Sequence, residues 1–167
     1  MCIRDSPRSI REALRARKRE LGEEKGFDFS RFNDAQIVDH FHYTVFPNLS
    51  FSLKPDGCIW LRANPHPTDP EKCIFDMWYL TWFPEGDSAY YAKAMYEAVD
   101  MTKEVPHDVG KVGEVSTGFV IDQDVEVWNS QQKGLRSRGY TADYLPDQEK
   151  RVRFFHENVD RYLEKED

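Results

Sequence analysis

The chain has 167 residues, with 30 acidic and 23 basic side chains and a formal net charge of −7. Aromatic residues make up 14% of the sequence, which excludes a disordered chain, because disordered segments contain few aromatic residues. The longest apolar run, Met77 to Phe83, is much shorter than the roughly 20 residues of a bilayer span, so we expect no membrane segment. The acidic net charge also argues against nonspecific binding to nucleic acid.

The cysteines Cys2, Cys58 and Cys73 are odd in number and follow no spacing that is typical of a disulfide framework. Disulfide-rich secreted domains have an even and denser set of cysteines. The sequence therefore favours a reducing, cytoplasmic location.

The first segment, residues 1–32, is predicted to be helical. Ser6 is a suitable N-cap, Pro7 suits the first helical position, and Gly22 can end the helix. The opening residues MCIRDS resemble an adapter-like artefact, so we expect that Met1 is not the native start. The remaining residues, 33–167, are expected to form a separate part of the chain.

Residues 43–53 alternate between apolar and polar side chains, as in a half-buried strand. Pro47 lies inside this stretch and predicts an edge strand, a bulge or a late strand start. The turn Lys54–Gly57 and the polar connection Pro65–Lys72 separate two further apolar stretches, so the sequence predicts three strands in an antiparallel meander. One face of the first strand would carry Tyr43, Val45, Leu49, Phe51 and Leu53.

The second half is predicted to be helical. Residues 87–104 begin with the capping residues Asp87 and Ser88, and a further helix lies within 116–139, ending at Gly134 or Gly139. A last helix starts near Pro146. The order of elements predicts the α+β class.

Two histidines, His40 and His42, are separated by one residue. On a strand this spacing directs both side chains to one face, where they could bind a metal. The alternative is a pair of partly exposed histidines between a short helix and a strand. Asp122 and Asp124 lie at a predicted helix start, where the helix dipole stabilises carboxylates.

Three stretches together resemble the C-terminal catalytic domain of the Rieske-type ring-hydroxylating oxygenase α subunit. HFHYTVFPNLSFS, residues 40–52, is similar to the family's strand with the Phe-Pro-Asn motif, and residues 62–80 are similar to the strands that follow. QDVEVWNSQQKGLRSRGY, residues 123–140, and then residues 149–163 match the family's acidic residue, Gln-x-Gly-Leu and Phe-His pattern. The resemblance covers residues 33–165 and implies that residues 33–167 form part of the oxygenase catalytic domain.

The resemblance implies a helix-grip domain, in which a curved antiparallel sheet wraps a long helix. It also implies a mononuclear Fe(II) site with two histidines and one carboxylate, which leaves positions open for O2. Aligned on Gln132, Gly134 and Leu135, the carboxylate is Asp124, with Asp122 as the second choice. Electrons would come from a [2Fe–2S] Rieske cluster, supplied in turn by a reductase or ferredoxin, and the whole α subunit would be a trimer.

The sequence also departs from the family. Successive histidines are separated by 2, 24, 41 and 49 residues, so the family's His-x(4 or 5)-His pair is absent. The Rieske motifs Cys-x-His and Cys-x-x-His are absent as well. We therefore expect this chain to be a fragment with one of the three iron ligands and to be inactive alone.

The resemblance also suggests which side chains would contact an aromatic or another small hydrophobic substrate. A second hypothesis is a non-enzymatic helix-grip module that binds an apolar ligand without iron. A third is a small metal enzyme that uses His40, His42 and Asp124. The candidate substrate-binding residues are Phe46, Asn48, Phe119, Val120 and Trp128.

Overall fold

The fold is given by a computed structural model that describes residues 7–82, 89–92, 97–100, 102–105 and 107–165. The chain divides into two compact units, Met1–Asp87 and Ser88–Asp167. The expected division between residues 1–32 and 33–167 stays a prediction.

The first helix, α1, spans Pro7–Glu24, so its end lies beyond the predicted terminator Gly22. The residue that ends it is Gly26, which has a φ of 78°, a conformation that favours glycine. Gly22 has a different role, because a β-carbon there would lie 2.5 Å from the ring of Phe29. The predicted N-cap Ser6 lies outside the described residues.

A short helix, α2, spans Asp34–Val38 and packs against α1. It begins with a capping box, in which Asn33 and Gln36 each accept a hydrogen bond of 2.9 Å from the other's backbone N–H. Lys18 on α1 donates a hydrogen bond of 2.9 Å to the carbonyl of Ile37, whose side chain is fully buried. These contacts fix α2 on the first helix.

The sheet of the first unit has four antiparallel strands, where the sequence predicted three. The residues predicted as the first strand form two strands of a hairpin, because residues 46–48 form a turn between them. Pro47 lies in that turn, where its missing N–H does not interrupt a strand ladder. The predicted connections Lys54–Gly57 and Pro65–Lys72 are confirmed. The strands, in their order across the sheet, are β1 Phe41–Val45, β2 Leu49–Lys54, β3 Gly57–Pro65 and β4 Cys73–Thr81.

One face of this sheet is apolar, as the alternation predicted. Tyr43 pairs with Phe51, and Phe51 pairs with Trp60 on β3. The ring centroids of these two pairs are 5.3 Å and 5.4 Å apart, in stacked geometry. Cross-strand aromatic pairs of this kind stabilise an antiparallel sheet.

In the second unit, the prediction of a helix over residues 87–104 is wrong. The described residues there form two antiparallel strands, β5 Ala89–Ala92 and β6 Glu97–Asp100. Tyrosine and valine favour strands, and pairing with a partner strand outweighs the helix propensity of the alanines. The predicted caps Asp87 and Ser88 both lie outside the described residues.

The remaining helices follow the prediction closely. Helix α3 spans Phe119–Leu135 and contains Gly134, which therefore does not end it. Helix α4 spans Lys150–Leu163 and follows a 3₁₀ turn, Asp147–Glu149. The chain is thus α+β, with an antiparallel sheet and helices that are consistent with part of a helix-grip domain. No helix among the described residues is long and apolar enough to cross a bilayer.

Candidate functional site

The start of α3 is shaped by glycine and by two hydroxyl residues. Gly118 precedes the helix with a φ of 93° and a ψ of 144°, a conformation that is essentially restricted to glycine. Its carbonyl accepts a hydrogen bond of 2.9 Å from the N–H of Asp122. The helix therefore starts at a backbone position that other residues adopt only with strain.

Both oxygens of the Asp122 carboxylate accept hydrogen bonds from the segment before the helix. Its Oδ1 accepts hydrogen bonds from the N–H and the hydroxyl of Thr117, at 2.6 Å and 2.7 Å. Its Oδ2 accepts a hydrogen bond of 2.6 Å from the Ser116 hydroxyl. The bonds from Ser116 and then Thr117 lower the pKa of Asp122, because they stabilise the ionised form. We call this arrangement the Asp122 bracket.

Asp124 differs from Asp122 in having both carboxylate oxygens available. It is exposed, and no hydrogen bond or ion pair holds its side chain within the described part of the chain. Because each residue turns an α-helix by about 100°, Asp124 points to a different side of α3 from Asp122. Of the two carboxylates, Asp124 is therefore the one without a hydrogen bond to either oxygen within the described residues.

The other predicted residues of α3 fall into two groups. Val120 lies four residues before Asp124 and Trp128 four residues after it, so the three share one stripe of the helix. Val120 is exposed and Trp128 is half-buried. Phe119 is also exposed, but it lies one residue before this stripe and projects elsewhere. The helix thus places a carboxylate between two apolar side chains.

The two predicted residues of the first unit lie in the turn between β1 and β2. Phe46 is half-buried, and its peptide bond to Pro47 is cis. Asn48 is held against β3, since its amide donates a hydrogen bond of 3.0 Å to Oδ1 of Asn64. Asn64 in turn donates one of 2.8 Å to Asp76. Asn48 is therefore part of a polar network on the sheet.

The histidine pair is split between two environments. His42 shares a hydrogen bond of 2.8 Å with the Ser52 hydroxyl. Burial, followed by the positive charges of Lys54 and Lys18, lowers the pKa of His40. Neighbouring cations of this kind also disfavour a bound metal ion.

The described residues do not fit an iron centre by themselves. No three histidine, cysteine, aspartate or glutamate side chains within those residues lie close enough together to hold a metal ion. The third hypothesis, in which His40, His42 and Asp124 bind one metal, requires such a group. Asp124 is a single carboxylate, and a stable iron site needs further protein ligands.

Sequence reasoning missed two polar arrangements. One is the pair Ser116 and Thr117, whose signal is two hydroxyl residues just before a helix start, a typical capping position. The other is the pair Arg62 and Asp76, which lie directly opposite each other on β3 and β4. Nε and Nη2 of Arg62 donate hydrogen bonds of 3.0 Å and 2.8 Å to Asp76.

Comparison with known proteins gives one match. The family model described as ring hydroxylating alpha subunit (catalytic domain) matches residues 8–165. No curated protein and no solved structure matches the chain. The matched range includes α1, the four-stranded sheet and the helix that carries Asp124.

Proposed function

Because the chain belongs to the catalytic-domain family of ring-hydroxylating oxygenase α subunits, we propose that it is part of an enzyme that uses O2 to hydroxylate an aromatic or another small hydrophobic substrate. The family implies an oxygenase in general. The choice of a hydrophobic substrate is supported by the apolar side chains of Val120 and Trp128 on either side of Asp124. It is otherwise an analogy with the family.

The observation that carries this proposal is the contrast between the two carboxylates of α3. Asp122 accepts three hydrogen bonds from Ser116 and Thr117, whereas Asp124 is exposed and accepts none within the described residues. We infer that Asp124 is the carboxylate ligand of the family's mononuclear iron and that Asp122 holds the helix start. The resemblance placed Asp124 first and Asp122 second, and the hydrogen bonds support that order.

The remaining iron ligands would be two histidines that this sequence does not supply in the family's spacing. Fe(II) bound through one exposed carboxylate would exchange with water, so we expect the chain alone to be inactive. The [2Fe–2S] cluster, the ferredoxin or reductase that reduces it, and a trimeric assembly belong to the proposal for the whole α subunit.

The chain's own contribution at this site would be to position the substrate. Val120 and Trp128 offer apolar surface on the stripe that carries Asp124, and apolar side chains with few polar groups are typical of small-molecule sites. Phe119, at the exposed start of α3, and the residues Phe46 and Asn48 of the sheet turn are proposed as further substrate contacts.

A chimeric enzyme tests this assignment. Residues 33–165 would replace the corresponding segment of a characterised ring-hydroxylating oxygenase, whose own chain supplies the histidine pair and the Rieske domain. We expect the chimera to contain mononuclear iron and to form a hydroxylated product. Asp124→Asn should lose both the mononuclear iron, measured as metal content per folded protein, and product formation.

The matched control is Asp122→Asn, which should lower the midpoint of thermal unfolding but keep mononuclear iron in the folded fraction. If Asp122→Asn removes the iron and Asp124→Asn retains it, the assignment of the two carboxylates is reversed. If neither substitution changes iron content, α3 does not supply the ligand. A chimera that binds apolar molecules without iron or turnover would favour the hypothesis of a non-enzymatic module.

A further inference from the structure

The first unit contains a cleft of about 540 Å³ between the segment after α1 and the apolar face of the sheet. Its volume lies within the range of small-molecule sites. Its walls are mainly aromatic, and all the described residues that line it fall within 27–82. The aromatic side chains that line it are Phe27, Phe29, Phe32, Phe41, Tyr43 and Trp82.

Three of these rings are held in place by specific contacts. Phe29 stacks on Phe27 with ring centroids 5.5 Å apart and meets Phe32 edge-on at 5.9 Å. The Arg19 guanidinium donates hydrogen bonds of 2.9 Å to the carbonyls of Phe29 and Phe32. The absence of a side chain at Gly22 leaves the space that the Phe29 ring occupies. The aromatic wall is thus formed before any ligand binds, which lowers the entropic cost of binding.

The cleft is lined by two charged side chains, Asp28 and Lys54, and only the Asp28 side chain makes a hydrogen bond within the described residues. Asp28 lines it, but Oδ1 of Asp28 accepts a hydrogen bond of 2.9 Å from the N–H of Ser30. Hydrogen bonds from Ser30 and then the charge of Arg31 lower the pKa of Asp28. The exposed Lys54 also lines the cleft, and its ammonium has no ion pair or hydrogen bond among the described residues.

Lys54 has a basic neighbour in His40. Its ammonium lies close enough to His40 to lower the pKa of that imidazole, after the larger effect of burial, and Lys18 acts in the same direction. A free cation at the margin of an aromatic cleft attracts an anionic group that is attached to an apolar ring.

We propose that this cleft binds a planar aromatic molecule with one anionic substituent, such as an aryl carboxylate. The ring lies against Phe29 and Tyr43, and the carboxylate lies beside the Lys54 ammonium. This site lies outside α3 and needs neither Asp124 nor a metal ion, so it goes beyond the proposed oxygenase function.

Calorimetric titration of the full chain with three probes of one size tests the proposal. The probes are indole-2-carboxylate, the neutral indole-2-carboxamide and the cationic 2-(aminomethyl)indole. We expect the carboxylate to bind about fivefold more tightly than the amide and the cation to bind most weakly. Equal affinities, or tighter binding of the cation, would overturn the proposal.

Variants of the same chain locate the probe. Lys54→Gln should remove the preference for the carboxylate over the amide, and Lys54→Arg should retain it. Trp82→Leu should weaken all three probes, whereas Trp78→Leu, on the same sheet but outside the cleft, should not. Asp124→Asn should leave every affinity unchanged, and a loss of binding in that variant would place the probe at the proposed oxygenase site instead. An unchanged preference in Lys54→Gln would also contradict the proposal.

Discussion

The four-stranded sheet and helix α3 are stabilised in different ways. The sheet depends on pairs between strands, such as the stacked rings of Phe51 and Trp60 and the ion pair of Arg62 and Asp76. Helix α3 has no buried residue among its described positions, and the Asp122 bracket holds its first turn. The proposed iron ligand Asp124 thus lies on helix α3, whereas the aromatic cleft lies against the sheet, whose strands are held together by side-chain pairs.

Glycine substitutions give the largest contrast between these two regions. A β-carbon at Gly57 would overlap the carbonyl oxygen of Leu80 on the neighbouring strand, whereas one at Gly134 in α3 would meet nothing within 4 Å. We expect Gly57→Ala to lower the free energy of unfolding by about 2 kcal/mol. Gly134→Ala should raise it by about 0.5 kcal/mol, because alanine favours a helix. Urea unfolding, followed by circular dichroism, measures both, and equal effects would contradict the contrast.

Removing an ion pair should destabilise the sheet more than the second unit, by a smaller amount than the glycine substitutions. Oδ2 of Asp76 accepts hydrogen bonds from Arg62 and Asn64, and the Asp76 side chain is 28% exposed. Asp76→Asn should cost about 1 kcal/mol of unfolding free energy, since the pair is only partly screened by solvent. The control is Arg153→Gln, which removes a longer pair of 3.9 Å to a fully exposed Asp147 and should not change stability measurably. A larger loss in the control would show that the second unit depends more on its ion pairs than the sheet does.

The smallest effect should be a pH dependence that is confined to the first unit. Burial, then Lys54 and Lys18, lower the pKa of His40 from 6.5, so the unfolded chain binds this proton more readily than the folded chain. The free energy of unfolding is therefore not reduced by His40 above pH 6.5, and it falls as the pH drops from there towards the lower folded pKa. Urea midpoints at pH 7 and pH 5 should therefore differ less in His40→Gln than in the unchanged chain. The control is His107→Gln, which lies outside the first unit and should keep the original difference.

The parts of the fold that the sequence predicted are those with local signals. The alternation from Tyr43 to Leu53 predicted the apolar face correctly, because side chains alternate along any strand. The same pattern hid the turn at Pro47, since a tight hairpin preserves the alternation on both sides. The helix prediction for 87–104 failed because β5 and β6 have only four residues each, which is too short for an alternation to be recognised, and because their pairing with each other is not visible in either segment.

The candidate site could also be predicted only where its signals are local in the sequence. Two aspartates at a helix start are visible in the sequence, but their difference depends on where the hydroxyls of Ser116 and Thr117 lie. The cleft of the first unit was not predicted, because Phe29 and Trp82 are far apart in sequence and only the folded chain brings them to one cavity. Lys54, in a predicted turn, had no sequence feature that marked it as a binding residue.

The positive φ of Gly118 has a consequence for how α3 can change. The two aspartates are only two residues apart, so a helix that began two residues later would give Asp124 the position that Asp122 now holds. Gly118 prevents such a slip, because its backbone conformation sets the first turn at Phe119. We infer that Gly118 sets the register of the helix and thereby determines which of the two carboxylates Ser116 and Thr117 engage.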